Sequence, residues 1–176
     1  FEVEGRHFAG GPFDWLTRRI LARPRGIVAL DRFMKVRLVR KRPDAADRIA
    51  VLPPWPLEDY ELVRHQDNPF RAKHGLAGKF VVMYSGNHGP TNPIATLLQA
   101  AIRLKNDPRF VFMFIGGGIG KKEVEAAMKE HPDAPIRSLP YQPMSELKHS
   151  LGAADVHVVT VGNEAVGIVH PCKVYG

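Results

Sequence analysis

The sequence lacks the features that mark several classes of protein. Its single cysteine, Cys172, cannot form an internal disulfide and fits a reducing compartment, so we expect a cytoplasmic protein. No apolar run approaches the roughly 20 residues that span a bilayer, and the opening FEVEGRHFAGG is not a secretory signal. The eight histidines show neither H-x-x-x-H spacing nor a paired cysteine, so the sequence predicts no metal site.

Acidic residues are scarce near the start of the chain. Residues 18–48 carry 11 basic and 3 acidic side chains, whereas the whole chain has 25 basic and 18 acidic residues. Such a patch favours an anionic partner, which could be a phospholipid surface, a lipid pyrophosphate or nucleic acid. A solvated basic face explains it equally well. With 44% hydrophobic residues, the 176-residue chain should bury a core, as one domain or one domain with a fragment of another.

From Lys79 onward, apolar strands alternate with helices. The predicted strands are FVVMY (80–84), FVFMFI (110–115), IRSL (136–139) and VHVVTV (156–161). The predicted helices cover 94–104, begun by Asn92 and Pro93, then 121–131, burying Val124, Ala127 and Met128, and then 145–154. This alternation predicts an α/β fold with a Rossmann-like, doubly wound parallel sheet.

The part before Lys79 is less regular. GIVAL (26–30) is a short apolar run, and Asp31 is the predicted N-cap of a helix over 32–42. RIAVLPPWP (48–56) is a predicted strand that prolines end. Residues 57–79 are polar, typical of a linker with a short helix. We therefore predict one domain over 1–57 and another over 58–176.

Three loops follow predicted strands and are candidate ligand sites, because ligands of such sheets bind beyond the carboxyl ends of the strands. SGNHG (85–89) leads into a helix N-terminus, where Gly86 and Gly89 would admit a phosphate that Asn87 and His88 could hydrogen-bond. GGGIG (116–120) could pass under a nucleotide, and PYQP (140–143) could hold main-chain groups against a flat base. Each could equally be an ordinary turn.

The glycines of GGGIGKK (116–122) match neither common nucleotide fingerprint. A P-loop needs four residues between its first glycine and Gly-Lys, followed by Ser or Thr, whereas three residues separate Gly116 from Gly120 here. The pattern G-x-G-x-x-G fails because Gly120 comes one residue early. A P-loop ATPase and a nicotinamide dehydrogenase are therefore disfavoured.

A single carboxylate, Glu164, follows the last predicted strand in GNEAVGIVHPCKVYG. It could accept hydrogen bonds from sugar hydroxyls while neighbouring N–H groups face phosphate, and Lys173 could neutralise a diphosphate. The alternatives are a solvated loop glutamate and a surface lysine, which are the usual positions of these residue types.

The order of these motifs resembles a known family. FVVMYSGNHG, LLQAAIRLKNDPRFVFMFIGGG, IRSLPYQPMSELKHSLGAADVHVVTV and EAVGIVHPCKVYG together resemble the C-terminal, donor-binding half of GT-B-fold glycosyltransferases. The likeness is to family 4, or group 1, in the exopolysaccharide branch that builds polymers such as colanic acid. It covers about 79–176, and more loosely 26–56, which looks like the end of the N-terminal, acceptor half.

The resemblance implies roles for individual positions. Residues 86–89 would face the donor diphosphate, Gly116, Gly117 and Gly118 would lie beneath the nucleotide, and the main chain of Tyr141 and Gln142 would meet the base. Glu164 matches the first glutamate of the E-x7-E motif and is the candidate catalytic residue, which holds donor-sugar hydroxyls. The backbone of Gly167, Ile168 and Val169 would meet sugar and phosphate.

Two positions depart from the family pattern. The second glutamate of E-x7-E would fall at position 172, which is Cys172, followed by Lys173, so the ribose contacts are in doubt. The first loop also lacks the Arg and Lys that many relatives place on the pyrophosphate, so Asn87, His88 and Lys173 would substitute.

The resemblance also implies partners. The donor would be a nucleoside-diphosphate sugar, the acceptor a saccharide or lipid-linked sugar, and transfer would retain configuration without metal or cofactor. We expect a truncated donor-binding domain that does not complete transfer alone, in the cytoplasm or peripheral on the inner face of the membrane.

Two alternatives stay open. One is a basic module that binds membrane or nucleic acid, although no nucleic-acid motif is present, and the other is a GT-B nucleotide-sugar epimerase.

Overall fold

The computed structural model describes residues 10–55 and 63–175. Within these ranges, chain contacts define two compact units: one holds the described residues up to Trp55 and from Val161 onward, and the other runs from Val63 to Thr160. The predicted domain boundary after residue 57 lies outside the described residues. The segment 161–175 belongs to the second predicted domain but packs with the first unit. The assignment of the two domains to 1–57 and 58–176 stays a prediction.

The described residues of the first unit form two α-helices and two short parallel strands, besides short 3₁₀ turns. Helix α1 covers Gly10–Ala22, strand β1 Ile27–Ala29, helix α2 Arg32–Lys41 and strand β2 Ile49–Val51. Strands β1 and β2 pair in register from Ile27 with Ile49 to Ala29 with Val51. The strands and α2 bury a small core of Ala29, Ala45 and Ile49. Helix α1 is not among the predicted helices. Its Leu21 is buried, whereas its other large apolar side chains are exposed: Phe13, Trp15, Leu16 and Ile20.

Asp31 begins helix α2 as the sequence predicts. Its backbone is extended, and its side chain accepts a hydrogen bond of 2.7 Å from the N–H of Met34, one of the first-turn donors that the helix leaves unpaired. The predicted strand over 48–56 is shorter than expected, since β2 ends two residues before Pro53.

The second unit is a parallel sheet with helices on both faces. Its strands are β3 (Phe80–Ser85), β4 (Phe110–Ile115), β5 (Ile136–Leu139) and β6 (Val156–His157), in the spatial order β5-β4-β3-β6. Helices α3 (Pro69–Lys73), α4 (Ala95–Arg103), α5 (Lys121–Glu130) and α6 (Met144–Leu151) connect or precede them. The predicted doubly wound α/β fold is therefore confirmed.

Side chains alternate between the two faces of this sheet. Tyr84, Phe112 and Phe114 pack with residues of α4 and α5 on one face. On the other face, Met83 and Met113 pack with Phe70 of α3 and Ala153, which follows α6. Strands β3 and β4 are therefore apolar on both sides, which explains the continuous apolar runs FVVMY and FVFMFI in the sequence.

Three predicted details of this unit are wrong. The fourth strand is two residues long rather than six, because its ladder with β3 ends at the hydrogen bond from Val158 N–H to the carbonyl of Met83. Asn92 does not cap α4, because the helix begins only at Ala95 and the Oδ1 of Asn92 accepts from the hydroxyl of Thr91 at 3.2 Å, while its amide donates to the carbonyl of Thr160 at 2.8 Å. Met128, predicted to be buried, is 37% exposed.

A buried arginine ties the amino ends of the strands together. Arg71 is 5% exposed, and its guanidinium donates to the carbonyls of Leu76, Lys79 and Ala153 at 2.8, 2.6 and 2.6 Å. Its Nη1 also lies 3.4 Å from Oδ2 of Asp155, and that carboxylate oxygen accepts from the N–H of Val81 at 2.7 Å. Four acceptors therefore compensate for the desolvation of the buried charge.

Within the part of the chain that the structure describes, no helix is both long and apolar enough to cross a bilayer.

We expect Arg71→Met to lower the free energy of unfolding by about 3 kcal/mol, because three buried carbonyls and a half-buried carboxylate lose their cation. Urea denaturation followed by circular dichroism measures the change. The matched control is Lys73→Met, which removes the same charge from an exposed position of the same helix and should change stability by at most about 0.5 kcal/mol. Equal losses for the two variants would contradict the assigned role of Arg71.

Candidate functional site

Two glycine-rich loops lie side by side at the carboxyl edge of the second unit's sheet. Strands β3 and β4 pair in register as far as Ser85 with Ile115, so the loops 85–89 and 116–120 leave the sheet together. Backbone hydrogen bonds join them: Gly86 N–H to Ile115, His88 N–H to Gly117, and Gly120 N–H to His88, at 2.8, 2.7 and 2.8 Å. We call residues 85–89 and 116–120 the glycine-loop cluster.

The close approach of these two backbones requires glycine. Gly116 has a φ of +127°, and a Cβ there would lie 2.0 Å from the carbonyl oxygen of Gly86. Gly118 has a φ of +121°, and its Cβ would lie 2.8 Å from the carbonyl oxygen of His88. The sequence pattern explains these glycines by a loop that passes under a nucleotide, whereas the structure shows that the packing of one loop on the other already demands them.

The side chain of His88 supports the cluster from below. It is fully buried between the rings of Tyr84 and Phe114, and its Nδ1 lies 3.3 Å from the carbonyl oxygen of Gly117. Its backbone N–H is also occupied by Gly117. This conformation does not present the imidazole to a surface ligand, contrary to the expected contact with a diphosphate, whereas Asn87 is exposed beside Gly118.

A hydroxyl holds the first loop in place. The phenol of Tyr84 donates to the carbonyl of Asn87 at 2.7 Å. Burial raises the pKa of Tyr84, so the phenol stays a neutral donor across the physiological pH range.

The third predicted loop reaches the same edge. Strand β5 pairs with β4 up to Leu139 with Ile115, and the loop 140–143 follows. The ring of Tyr141 lies against Gly117, since a Cβ on that glycine would be 3.3 Å from the ring, yet the side chain is 59% exposed. The side-chain amide of Gln142 donates to the carbonyl of Pro140 at 2.9 Å, which stabilises the turn. The structure therefore brings together all three loops that the sequence singles out in this unit.

Lys121 also lies at this edge of the sheet, although it is not among the residues predicted for the site. Its Nζ donates to the carbonyls of Gly116 and Leu139 at 2.7 and 2.5 Å. Burial lowers the pKa of Lys121. The sequence feature that could have identified it is a lysine directly after the glycine run, at the first position of a predicted helix.

Among the described residues, no side chain caps the start of α4 or α5. The first N–H groups of α5, at Lys121, Lys122 and Glu123, are already paired with the carbonyls of Gly118, Ile119 and Gly120, so only the start of α4 offers main-chain donors to a ligand. The first-turn donors of a helix and its dipole favour a negatively charged group. The edge thus combines exposed main-chain donors with an exposed aromatic ring.

The remaining candidates lie in the first unit. Glu164 is exposed in the short 3₁₀ turn Asn163–Ala165. Gly167 is buried with a φ of +77°, and a Cβ there would lie 3.0 Å from the carbonyl oxygen of Phe33. Ile168 and Val169 are half-buried and Lys173 is exposed. That these residues meet the glycine-loop cluster in a common donor site stays a prediction.

The segment containing these candidates is anchored to the start of α2. His170 Nδ1 lies 2.7 Å from Oδ2 of Asp31, the residue that caps that helix. Burial alone would raise the pKa of Asp31, but hydrogen bonds from the Met34 N–H and from His170 hold that pKa below its usual value. The backbone that carries Gly167 is therefore pressed against the first turn of α2.

Comparison with known proteins gives a consistent result. The family model described as glycosyl transferases group 1 matches residues 66–170. WbjE of Pseudomonas aeruginosa, named as a probable glycosyltransferase, is 32% identical over 113 residues, or 64% of this chain and 28% of that protein. WcaI of Escherichia coli (strain K12), named for glycosyl transfer in colanic acid biosynthesis, is 30% identical over 95 residues, or 54% of this chain and 23% of that protein. The chain thus spans about a quarter of the length of these relatives.

Solved structures share the fold at low sequence identity. Anabaena Alr3699/HepE, crystallised with UDP and glucose, aligns with a TM-score of 0.72 and 15% identity over 92% of this chain and 44% of that one. WaaG, a glycosyltransferase involved in lipopolysaccharide biosynthesis, aligns with a TM-score of 0.62 and 14% identity over 76% of this chain and 37% of that one.

We expect Gly116→Ala to destabilise the protein by about 3 kcal/mol or more, since the added methyl meets a backbone carbonyl and the φ is unfavourable for alanine. The control is Gly75→Ala, at a φ of +58° with nothing within 4 Å of the added Cβ, which should cost about 1 kcal/mol. Urea denaturation of both variants separates the effect of backbone conformation from that of the loop contact. A cost for Gly116→Ala no larger than that of the control would refute the contact.

Proposed function

The chain belongs to the glycosyl transferases of group 1, and on that premise we propose that its second unit binds the nucleotide of a nucleoside-diphosphate sugar. The family model of these transferases matches residues 66–170, which is more than half of the chain. Because the chain spans about a quarter of the length of its curated relatives, transfer of the sugar to a saccharide or lipid-linked acceptor is proposed for the whole protein. The chain alone is proposed to bind donor without completing transfer.

The observation that carries this proposal is the convergence of three loops at one edge of a parallel sheet, the first of which leads into a helix that no side chain caps. The N–H groups at the start of α4 attract anionic oxygens, as a diphosphate requires. Asn87 is the exposed polar side chain of the first loop. We assign the phosphate contacts to Asn87 and to the backbone N–H of Gly89, because the N–H of Gly86 already donates to Ile115, and we leave His88 to a supporting role.

We place the nucleobase beside the loop 140–143. The ring of Tyr141 rests on Gly117 and exposes its other side, which offers an apolar surface next to the main-chain groups of Tyr141 and Gln142. Packing against such a surface stabilises a flat base, and main-chain N–H and C=O groups can hydrogen-bond to the edge of the base. HepE has been crystallised with UDP, which makes UDP the first nucleotide to test on this chain.

We propose that the sugar itself is held by the first unit's loop 162–170. Glu164 is exposed there and would accept hydrogen bonds from donor-sugar hydroxyls, with the backbone of Gly167, Ile168 and Val169 next to sugar and phosphate. Lys173 is exposed and would add a positive charge near the diphosphate. Retention of configuration, without metal or cofactor, is part of the same proposal, as is a place in exopolysaccharide synthesis.

The exposed face of α1 supports peripheral contact with an anionic membrane. Phe13, Leu16 and Ile20 are spaced by three and four residues, so they lie on one side of the helix, and they are 57%, 45% and 56% exposed. Arg18 and Arg19 lie between them in sequence, within the basic stretch 18–48. Apolar side chains flanked by arginine suit the interface of anionic lipids, where a lipid-linked acceptor would be found.

We expect the protein to bind UDP, GDP or ADP with a dissociation constant in the range of about 1 μM to 1 mM, as is usual for enzyme substrates. Isothermal titration calorimetry with each nucleotide measures this, and amide NMR shows whether the shifted signals belong to 85–89, 116–120 and 140–143. A folded protein that binds none of the three would remove the support for the proposal.

We expect Glu164→Ala to weaken binding of the intact nucleotide sugar about tenfold or more, since hydrogen bonds to a carboxylate are lost, and to leave the bare nucleotide unaffected. The measurement is calorimetry with UDP-glucose against UDP, or with the corresponding pair for the base that binds. Asn163→Ala, an exposed neighbour in the same turn, is the control. Equal losses for nucleotide and nucleotide sugar would remove Glu164 from the sugar subsite.

A further inference from the structure

Lys121 occupies an unusual place for the first residue of a helix. Its side chain turns back from the start of α5 to the carboxyl ends of two neighbouring strands. There Nζ donates to the carbonyl of Gly116, the residue after β4, and to the carbonyl of Leu139, the last residue of β5. The carbonyl of Leu139 also accepts from the N–H of Gly116 at 3.0 Å. One ammonium group therefore bridges the end of β5, which pairs only with β4 in the described sheet, to the residue after β4.

The two carbonyls belong to two different loops. Gly116 begins the stretch that the proposed function places under the nucleotide, and Leu139 is followed directly by Pro140 and by Tyr141, which we place at the base. Gly116 cannot shift toward the first loop, because it is already in contact with the carbonyl of Gly86. The distance between the loops 116–118 and 140–142 is thus set by the bonds that Lys121 and the Gly116 N–H make to Leu139.

We propose that Lys121 is a positioning residue for nucleotide binding: it fixes the loop under the nucleotide relative to the loop that meets the base. This inference rests on the proposed function. The charge of Lys121 is directed to two protein carbonyls, so its effect on the ligand passes through Gly116 and Tyr141 rather than through a direct contact. Its loss should therefore reduce discrimination between bases as well as affinity.

The chain offers a matched control in the next residue. Lys122 is exposed on the same helix turn, so Lys122→Met removes the same charge without touching either strand end. Lys121→Arg restores a cationic donor at the position, whereas Lys121→Met removes the donors and keeps much of the apolar volume.

The experiment measures the dissociation constants of UDP, GDP and ADP by calorimetry at 15 °C, after circular dichroism has shown each variant to be folded. We expect Lys121→Met to weaken the preferred nucleotide about tenfold or more, since two charge-assisted hydrogen bonds are lost. It should also reduce the ratio between the dissociation constants of the weakest-binding and the tightest-binding nucleotide. Lys121→Arg should keep part of the affinity and part of the discrimination between nucleotides. Lys122→Met should bind all three nucleotides as wild type does. If Lys121→Met does not fold, Lys121→Gln replaces it in the same comparison.

The outcomes separate the two proposals. Wild-type protein that binds no nucleotide overturns the proposed function and this inference with it. Wild-type protein that binds, together with a Lys121 variant that has the same affinity and the same ratio between nucleotides, overturns this inference alone. A variant that is less stable in urea but unchanged in both binding measures shows that Lys121 contributes to the fold and not to the site.

Discussion

The contact between the backbone of Gly116 and the carbonyl of Gly86 is the constraint on which the carboxyl edge of the sheet depends. With no side chain at position 116, the loops after β3 and β4 meet backbone to backbone and hydrogen-bond to each other. The loop after β5 joins them through Tyr141, whose ring lies against Gly117. Three segments that are far apart in sequence thus form one surface with exposed main-chain donors and an aromatic ring.

Two basic side chains perform comparable tasks at the opposite ends of this sheet. At the amino ends of the strands, the guanidinium of Arg71 satisfies carbonyls before β3 and β6. At the carboxyl ends, the ammonium of Lys121 satisfies carbonyls after β4 and at the end of β5. Strand ends leave main-chain oxygens without a ladder partner, and burial of such oxygens is costly unless a donor reaches them. Here long cationic side chains supply the donors, so the charges of Arg71 and Lys121 are directed at main-chain oxygens of the fold rather than at a surface for partners.

The sequence was sufficient to predict the fold and the position of the loops. The apolar runs 80–84 and 110–115 identify buried parallel strands, and the rule that ligands bind beyond strand carboxyl ends then places the glycines. What pattern reasoning could not supply were the long-range contacts. The side chain of Asn92 looks like a helix cap in sequence, but a carbonyl 68 residues away takes its amide. His88 looks like a loop ligand, but two aromatic rings enclose it. The roles of Arg71 and Lys121 depend on carbonyls that no local motif reveals.

The crowding around Gly116 divides this edge into fixed and adjustable positions for anyone who wishes to redesign it. Position 116 is closed to every other amino acid, since even one methyl group would collide with a neighbouring peptide. Ile119, at 76% exposure, projects away from that contact and can be randomised, whereas Tyr141, at 59% exposure, lies against Gly117 and can be exchanged only for other aromatic residues. A library confined to these two sites would alter what the surface recognises while the scaffold beneath it remains intact.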